Sequence, residues 1–391
     1  MLDAYIQAHD ATGLLDACLR KACAYHASDI HIEPLAEGWQ IRLRVDGLLH
    51  VLTLLPTALG LALVVRIKLL GQMDIGETRQ PQDGRFQTAI DQQQLHIRCS
   101  SLPGHLGEKL VLRLQNPSSA SLAIEELGML AEQRRILAQY LTMPQGLIMV
   151  TGPTGSGKSI TLYAALMHLL EPQRNIMTLE DPVEVVIPGI HQVAPKVGIG
   201  VDFNTLLRAL LRQDPDVIML GELRDRDSAQ TAVRAAQTGH LILTSMHTNT
   251  ALEAISRCYG LGIDLQGLSY CLQLVINQRL LRRLCGNCAI PVSASLGLQM
   301  QGEPWQRARM ELQAKGLLEQ PRQPMGCEHC HGGYHGRFGV FELWPVEAQH
   351  RTAIANGELP HVAELIDLQQ QAMLAVLAGR TSLAEMARVL V

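Results

Sequence analysis

Residues 152–159 read Gly-Pro-Thr-Gly-Ser-Gly-Lys-Ser, which matches the phosphate-binding loop pattern G-x-x-x-x-G-K-[ST]. The apolar run 146–150 before the loop predicts a buried parallel strand, and residues 160–167 after it predict the start of a helix. In this context the glycines let backbone N–H groups turn toward phosphate oxygens, and the helix N-terminus adds partial positive charge. A glycine-rich turn with a chance lysine is the alternative, and the flanking strand and helix disfavour it.

The loop predicts a site for ATP and Mg²⁺. Lys158 is expected to reach the β and γ phosphates, and the Ser159 hydroxyl is expected to bind Mg²⁺. The predicted nucleotide-binding residues of the loop are Gly152, Pro153, Thr154, Gly155, Ser156, Gly157, Lys158 and Ser159.

Length and composition narrow the class of protein. A chain of 391 residues is too long for one compact core, so we expect two or three domains. A hydrophobic content of 47% is ample for their cores. A net charge of −4 does not suggest a general nucleic-acid binder, although it leaves room for a local basic groove. The most apolar run, 58–65, ends at Arg66, so no membrane span is predicted. The N-terminus resembles no signal peptide, so we expect a cytosolic location with reduced thiols.

The first part of the chain predicts a small α+β domain. Apolar residues alternate with polar residues over 39–45, which is typical of a strand with one buried face. Asp46-Gly47 then predicts a tight turn, with residues 48–52 as the return strand. A second hairpin is expected between residues 86–90 and 95–101. The segment 116–121, Asn-Pro-Ser-Ser-Ala-Ser, has the composition of a linker between domains.

Three further apolar strands are predicted after the loop, and each has polar residues at its end. The strands are expected at 176–180, 217–222 and 241–247, and the helices between them at 204–213 and 226–238. Strands that alternate with helices predict a parallel sheet. Because ligands bind at the carboxyl ends of such strands, we expect Glu180, Asp181, Glu222 and His247 to converge on the nucleotide.

These strand-end residues suit ATP hydrolysis, which needs neutralised charge on the γ-phosphate and an oriented water molecule. We expect the Glu222 carboxylate to orient the attacking water, and His247 to hydrogen-bond the γ-phosphate. Glu180 and Asp181 are expected to hold the water shell of Mg²⁺. Taken alone, each acid could be an ordinary strand-end or helix-cap residue, and His247 could be structural. Their shared position at one end of the predicted sheet favours a catalytic site.

Several blocks of the sequence match the motifs of a known protein family. The blocks of the second part are GPTGSGKS (152–159), TLEDPVE (178–184), RQDPDVIMLGELRD (212–225) and TGHLILTSMHTNTA (238–251). Those of the first part are ASDIHIEP (27–34), IRLRVDG (41–47), RQPQDGR (79–85) and GEKLVLRL (107–114). Together they closely resemble the secretion ATPases of type II secretion and type IV pilus assembly.

This resemblance implies a subunit that pairs a PAS-like domain with a RecA-like ATPase domain. It implies a hexameric, cytoplasmic motor on the inner face of the bacterial inner membrane, which hydrolyses ATP to drive assembly of a pilus or pseudopilus. Inner-membrane platform proteins are the implied partners. Family members usually carry a further N-terminal domain, whereas only 26 residues precede ASDIHIEP here. We therefore expect either part of a longer protein or a short member of the family.

In such proteins, arginines of the smaller domain reach the nucleotide on the RecA-like domain. Arg98 and Arg113 match these arginines best by their positions in the motifs. A guanidinium on the γ-phosphate would stabilise transition-state charge, and an ordinary surface arginine on a strand is the alternative. Arg66, Arg79 and Arg85 also lie in family blocks and are expected to line the subunit interface or to bind linkers and neighbours.

Two C-x-x-C pairs, Cys285 with Cys288 and Cys327 with Cys330, are separated by 38 residues. Four thiolates in two such pairs suit tetrahedral Zn²⁺, and a reducing compartment disfavours the alternative of disulfides. The resemblance favours zinc further, because assembly ATPases often carry this insertion.

The fold class that we expect is α/β, with a RecA-like P-loop ATPase domain behind a small α+β domain. The expected divisions are an α+β PAS-like domain at 1–115, a linker at 116–121, the ATPase core at 122–284, a four-cysteine zinc subdomain at 285–330 and a helical C-terminal region at 331–391. Within the last region we expect helix from Gly336 onward, and Ser382 and Glu385 fit a capping box before the final helix.

Two other functions share the same core. A DNA-uptake or DNA-translocating ATPase would carry a basic channel and stacking aromatic residues. An aromatic content of 4% and a negative net charge disfavour it, and nucleic acid is not an expected partner. A non-catalytic ATP-binding scaffold is disfavoured because Lys158, Ser159 and Glu222 are all present.

Overall fold

The computed structural model describes residues 2–91, 93–115, 123–196, 198, 200–292, 300–317, 319–360 and 367–390. The chain divides into two units, Met1–Ala120 and Ser121–Val391. The predicted linker, residues 116–121, lies outside the described residues.

The first unit contains helices and one antiparallel sheet. Its helices are α1 (Leu2–Gln7), α2 (Ala11–Ala24) and α3 (Thr57–Leu70), and its strands are β1 (Asp29–Leu35), β2 (Gly38–Val45), β3 (Leu48–Leu55), β4 (Gln82–Ile90), β5 (Gln93–Gly104) and β6 (Gly107–Gln115). The strand order is β3-β2-β1-β6-β5-β4, and every neighbouring pair is antiparallel. One face of this sheet packs its apolar side chains into a single hydrophobic cluster with α2 and α3.

Both predicted hairpins are present. Asp46 and Gly47 join β2 to β3 with φ of +49° and +85°, the left-handed pair that a tight antiparallel turn needs. The second hairpin is longer than predicted, because β4 and β5 pair from Gln82 with Ser101 to Ile90 with Gln93.

The second unit is built on a seven-stranded sheet. Its strands are β7 (Gly146–Thr151), β8 (Ile176–Leu179), β9 (His191–Val193), β10 (Val217–Leu220), β11 (Leu241–Met246), β12 (Leu272–Leu284) and β15 (Tyr334–Pro345), in the order β15-β12-β7-β11-β10-β8-β9. All neighbours are parallel except β12 and β15, which are antiparallel. Two short strands, β13 (Ile290–Pro291) and β14 (Arg322–Gln323), form a separate small sheet. The parallel sheet confirms the expected α/β class.

Helices cover both faces of the larger sheet. They are α4 (Ala131–Leu141), α5 (Lys158–Leu169), α6 (Phe203–Leu210), α7 (Arg226–Gln237), α8 (Glu253–Gly260), α9 (Leu265–Cys271), α10 (Glu303–Ala314), α11 (Ala348–Ala355), α12 (Leu368–Leu377) and α13 (Leu383–Leu390). Ile148 and Val150 of β7 pack with residues of α4 and α5, whereas Leu147 and Met149 pack with residues of α7 and α9. Because both faces are buried, polar groups of these strands reach solvent only at the strand ends.

The expectation of helix from Gly336 onward is wrong for residues 336–345, which belong to β15. This segment pairs with β12 along most of its length, and buried Val340, Phe341 and Trp344 give it strand character. Helices follow only from Ala348.

The predicted capping box is half formed. The Glu385 backbone N–H donates to the Ser382 hydroxyl at 3.1 Å. The Glu385 carboxylate instead accepts hydrogen bonds from Arg282 of β12 and from Arg388, so it fastens α13 to the end of β12. No helix among the described residues combines the length and the apolar character that a membrane span needs.

Candidate functional site

Residues 152–157 connect β7 to α5 and form the turn that the sequence predicts to bind phosphate. Gly155 and Gly157 have φ of +78° and +89°, in the left-handed region that other residues rarely adopt. A Cβ atom added to Gly155 would meet no atom within 4 Å, so the loop borders open space here. No side chain caps the N-terminus of α5, which leaves its first N–H groups available to an anion.

The surroundings of two loop side chains, Ser156 and Lys158, bear on phosphate binding. Ser156 is 4% exposed, and its buried hydroxyl has no hydrogen-bond partner within the described residues. Lys158 is largely buried, and its Nζ donates to the backbone oxygens of Gly152 and Pro153 at 2.9 and 3.1 Å. Burial lowers the pKa of Lys158 below its ordinary value, and the charge of Glu222 opposes this change. The loop therefore fits a phosphate group.

Three predicted catalytic residues meet beside the loop. Nζ of Lys158 lies 3.4 Å from Nδ1 of His247, and Nε2 of His247 lies 3.5 Å from Oε1 of Glu222. Burial and the neighbouring Lys158 charge lower the pKa of His247 below its ordinary value, which favours the neutral ring. Since an ammonium group can only donate, we assign Nδ1 as the acceptor, which places the ring proton on Nε2 toward Glu222.

Arg224 connects Glu222 to Asp181, a fourth residue that the sequence predicted at the site. Its Nε donates to Oε2 of Glu222 at 2.9 Å, and its Nη1 donates to Oδ2 of Asp181 at 3.3 Å. Sequence reasoning gave Arg224 no role, although it stands two residues after Glu222 in the same block. The guanidinium links the carboxylates that follow β8 and β10, which are neighbouring strands.

Glu180 differs from Asp181 in its surroundings. It is 4% exposed, and its carboxylate accepts hydrogen bonds from the hydroxyls of Tyr163 and Thr178 and, at 3.0 Å, from Nε2 of Gln192. Three protein donors thus occupy the carboxylate that was expected to hold the Mg²⁺ water shell. The Asp181 side chain, by contrast, is about half exposed and faces Arg224.

A cavity of about 420 Å³ adjoins the loop. Its lining includes Pro153 of the loop, His247, Thr248 and Asn249 that follow β11, and Glu253 and Arg257 of α8. The cavity leaves room for a ligand group beside the loop and His247.

The two arginines predicted to act on the γ-phosphate lie in the first unit. Arg98 of β5 and Arg113 of β6 are direct cross-strand partners, so their side chains share one face of the sheet. The same register brings Arg85 of β4 beside Arg98, and Asp29 of β1 beside Arg113 and Arg44. We call these five residues the arginine row. Sequence reasoning did not align Arg85 or Arg44 with the pair, because the alignment depends on strand register.

Asp29 holds part of the arginine row in place. Its Oδ1 accepts a hydrogen bond from Nε of Arg113 at 3.0 Å, and its Oδ2 lies 3.7 Å from Nε of Arg44. The Ser28 hydroxyl also donates to Oδ2, at 2.8 Å. The row lies on the face opposite the hydrophobic cluster, because it alternates along the strands with buried Ile30, Leu43 and Leu112.

The four predicted zinc ligands form one cluster. Their Sγ atoms all lie within 4.8 Å of one another. Sγ of Cys285 is 3.9 Å from that of Cys327, and Sγ of Cys330 is 3.7 Å from that of Cys288 and 3.6 Å from that of Cys327. Zn–S bonds of about 2.3 Å in a tetrahedron give S···S distances of about 3.8 Å. The cluster therefore fits Zn²⁺, and its first cysteine, Cys285, directly follows the last residue of β12.

Known proteins resemble this chain over most of its length. The protein transport protein HofB homolog of Haemophilus influenzae is 46% identical over 84% of this chain, and the type IV pilus assembly ATPase PilB of Acinetobacter baylyi is 39% identical over 96% of it. The chain spans only 64% and 65% of the lengths of these two relatives. Type II secretion system protein E of Aeromonas hydrophila is 42% identical over 96% of this chain and 75% of its own length.

Solved structures share the fold at low sequence identity. The ATPase DotB of Legionella pneumophila aligns with a TM-score of 0.66 and 18% identity, covering 96% of this chain and 94% of its own. The pilus retraction motor PilT, solved with bound ADP, aligns with a TM-score of 0.59 and 23% identity, covering 96% of both chains. The family model described as "Type II/IV secretion system protein" matches residues 7–388. This match and the relatives confirm the resemblance found in the sequence, and the chain belongs to the type II/IV secretion system protein family.

Proposed function

We propose that this chain hydrolyses ATP at the site formed by residues 152–159, Glu222 and His247. The observation that carries the proposal is the loop's unsatisfied binding capacity beside a catalytic carboxylate. The Ser156 hydroxyl is buried without a partner among the described residues, and the N-terminus of α5 has no side-chain cap. The Lys158–His247–Glu222 chain lies against that same loop.

Each residue has a role in the proposed reaction. Water attacks the γ-phosphorus, the bond from this phosphorus to the ADP oxygen breaks, and ADP and phosphate are released. Lys158 exchanges the carbonyls of Gly152 and Pro153 for β- and γ-phosphate oxygens and neutralises their charge. Glu222 accepts a hydrogen bond from the attacking water and orients it. The neutral His247 hydrogen-bonds the γ-phosphate.

Magnesium fits the oxygen ligands that this edge of the sheet offers. The Ser159 hydroxyl in the first turn of α5 would hold the ion, and Asp181 would hold its water shell. When bound, Mg²⁺ supplies charge neutralisation on the phosphates. We assign Glu180 a structural role instead, because protein donors surround its carboxylate.

Arg98 and Arg113 are proposed to stabilise transition-state charge on the γ-phosphate. Their pairing across β5 and β6 supports a joint role, and it adds Arg85 as a third candidate. We propose that the active form is a homo-oligomer, a hexamer, in which a ring of neighbours holds these arginines in their acting positions.

Zinc is proposed as a structural ion held by Cys285, Cys288, Cys327 and Cys330. The S···S distances support tetrahedral coordination. An ion bound there would tie the end of β12 to the turn before β15, and it would contribute folding energy to this part of the unit.

The names of the relatives support a cellular role. We propose that ATP hydrolysis by this chain drives assembly of a pilus or pseudopilus. The motor would work in the cytoplasm, on the inner face of the bacterial inner membrane, with inner-membrane platform proteins as partners.

Two variants test the proposed reaction. Lys158→Ala should lower ATP turnover by at least about a hundredfold and weaken ATP binding, because phosphate charge is no longer neutralised. Glu222→Gln should lower turnover as much and keep ATP affinity within about threefold, because only the water-orienting carboxylate is lost. Turnover is measured by phosphate release and affinity by titration with a fluorescent ATP analogue.

Glu303→Gln provides the matched control. Its side chain is 73% exposed on α10 and contacts Arg307 of the same helix, so both constants should equal those of the unmodified chain. Equal loss of ATP affinity in Lys158→Ala and Glu222→Gln would contradict the division of roles. Full turnover in Lys158→Ala would refute the proposed function.

A further inference from the structure

The strand β12 borders the proposed nucleotide site through three consecutive residues, Asn277, Gln278 and Arg279. β12 runs parallel to β7, and their pairing ends where Asn277 lies beside Thr151, the last residue before the phosphate loop. β12 continues for seven more residues to Leu284. Gln278 and Arg279 therefore pass the point at which the phosphate loop begins.

Gln278 supports the phosphate loop from the strand side. It is 1% exposed, and its Nε2 donates to the backbone oxygen of Ser156 at 2.6 Å. Its Oε1 accepts a hydrogen bond from the Thr161 hydroxyl of α5 at 2.7 Å. Both ends of the amide are used, so one side chain fixes the loop relative to the helix that the loop begins.

The loop is packed directly on the same residue. A Cβ atom on Gly152 would lie 2.6 Å from the Gln278 backbone oxygen, and a Cβ atom on Gly157 would lie 3.1 Å from its Nε2. Because Gln278 already occupies the space that a Cβ atom would need, the first and the last glycine of the loop have little room to move toward the strand. The shape of the loop therefore depends on the position of Gln278.

Asn277 and Arg279 hold a different segment, the turn after β11. Nδ2 of Asn277 and Nη2 of Arg279 both donate to the backbone oxygen of Asn249, each at 2.8 Å. Nη1 of Arg279 also donates to Oδ1 of Asn277 at 3.0 Å, so the two side chains brace one another. Asn249 is two residues after His247, so these hydrogen bonds hold the turn that follows the histidine.

We propose that Asn277, Gln278 and Arg279 are the positioning residues of the nucleotide site. Gln278 holds the phosphate loop in its binding shape, and Asn277 and Arg279 hold the His247 turn. This inference rests on the proposed ATP hydrolysis. It names the residues that hold the phosphate loop and the His247 turn in position relative to one another.

The two contacts predict two different kinetic defects. Loss of the Gln278 contacts frees the loop that binds phosphate, so nucleotide affinity falls. Loss of the Arg279 contacts frees the turn that carries His247, which acts on the γ-phosphate only. ADP has no γ-phosphate, so its affinity stays constant while kcat falls. A residue that merely stabilises the fold would produce neither pattern.

Gln278→Met tests the first contact, because methionine keeps the volume and removes both hydrogen bonds. We expect the Kd for a fluorescent ADP analogue to rise at least about tenfold, which corresponds to about 1.4 kcal/mol. Thr161→Val should raise this Kd by about threefold or more, and Thr161→Ser, which keeps the hydroxyl, should restore it. The Tm of the nucleotide-free full chain is recorded for each variant.

Gln133→Met is the matched control. Gln133 is 3% exposed, donates to the Phe341 backbone oxygen at 2.7 Å and accepts from the Leu130 N–H, and neither partner belongs to the phosphate loop. This variant should lower the Tm and leave the ADP Kd unchanged. A Gln278→Met protein with a lowered Tm and an unchanged ADP Kd would behave like this control and would overturn the proposal.

Arg279→Lys tests the second contact, since lysine keeps the charge and loses the fork that bridges Asn249 and Asn277. We expect kcat to fall about tenfold with the ADP Kd within about twofold. Unchanged kcat would overturn this half of the proposal. Should Gln278→Met fail to fold, equal ADP Kd values in Thr161→Val and Thr161→Ser would overturn the first half.

The Lys158→Ala assay separates this inference from the function on which it rests. Loss of turnover in Lys158→Ala together with normal Gln278→Met and Arg279→Lys proteins refutes only the positioning roles. Full turnover in Lys158→Ala refutes the proposed function and the positioning roles with it.

Discussion

The two units place their charged residues differently, and the cause is the kind of sheet on which each is built. The first unit's sheet is antiparallel and buries one face, so the other face carries the arginine row. The second unit's parallel strands are buried on both faces, so their chemistry lies at the strand ends. Lys158 lies beyond β7, and Glu222 and His247 follow β10 and β11.

This difference predicts how local the effect of a substitution is. A residue at a strand end acts through a few specific contacts, such as those of Glu222 with His247 and Arg224. In the arginine row, Arg44, Arg85, Arg98 and Arg113 lie on neighbouring or near-neighbouring strands, so each charge acts within the field of the others. A row could therefore act as a broad cationic face or as a specific site, and the two cases can be separated.

The largest expected effect separates them. We expect Arg98→Ala and Arg113→Ala each to lower kcat by about a hundredfold or more and to change ATP affinity much less, because a guanidinium on the γ-phosphate acts mainly in the transition state. Arg44→Ala, on the other side of Asp29, should lower kcat by less than about threefold. Steady-state ATP hydrolysis and nucleotide titration measure both constants.

Arg20→Ala on α2 serves as the control for the loss of one exposed charge in the same unit, and it should leave both constants unchanged. Equal losses in Arg44→Ala and Arg113→Ala would show that the row works as a cationic face. Normal turnover in both Arg98→Ala and Arg113→Ala would remove the row from the reaction.

The four-cysteine cluster is another site at a strand end, because Cys285 directly follows β12. We expect one Zn²⁺ per chain by elemental analysis of protein purified without chelators. Removal of the metal should lower the Tm by about 5–10 °C, the shift that about 2–3 kcal/mol produces in a unit of this size.

Cys285→Ser should lose the metal and show the same shift, whereas Cys23→Ser in the first unit should change neither quantity. Zinc well below one equivalent, with no further change in Cys285→Ser, would contradict the site.

The residues at strand ends could be predicted from the sequence because their identification does not depend on which residues pair between strands. An apolar run followed by a polar residue identifies Glu222 and His247, and a parallel sheet brings such residues to one edge. The cysteine cluster follows in the same way from two short spacings. The hairpin of β2 and β3 depends on a local turn signal, Asp46-Gly47.

The rest depends on contacts between distant residues. Arg85 joins Arg98 only through the pairing of β4 with β5, and Gln278 reaches Ser156 across 122 positions of the chain. Residues 336–345, which were expected to be helical, form a strand through pairing with β12, a partner that is not adjacent in sequence. Glu180 and Asp181 look equivalent in the sequence, and only the donors around Glu180 separate them.

Glu180→Gln tests that separation within the strand-end group. The amide would bring an N–H donor into a pocket whose neighbours are already donors, so we expect a loss of stability of about 2 kcal/mol. Turnover per folded molecule should stay within about twofold of that of the unmodified chain. Urea unfolding and active-site titration measure the two quantities.

Asp181→Asn is the paired variant, and it should raise the Mg²⁺ concentration needed for half-maximal turnover. An equal Mg²⁺ requirement in the two variants would return Glu180 to the catalytic edge and would contradict its structural role.

The smallest expected effect is a shift in the pKa of the His247 ring. It tests the contacts of the strand-end site most directly. Burial and the Lys158 charge lower the pKa of His247, while the Glu222 charge raises it. Lys158→Met should therefore raise the His247 pKa, and Glu222→Gln should lower it further. In the unmodified chain the neutral ring should carry its proton on Nε2, because Nδ1 faces an ammonium donor at 3.4 Å. Nitrogen-15 NMR of the histidine side chains measures the pKa and the tautomer together. Shifts of the same sign in both variants, or a proton on Nδ1, would mean that His247 does not lie between Lys158 and Glu222 in solution.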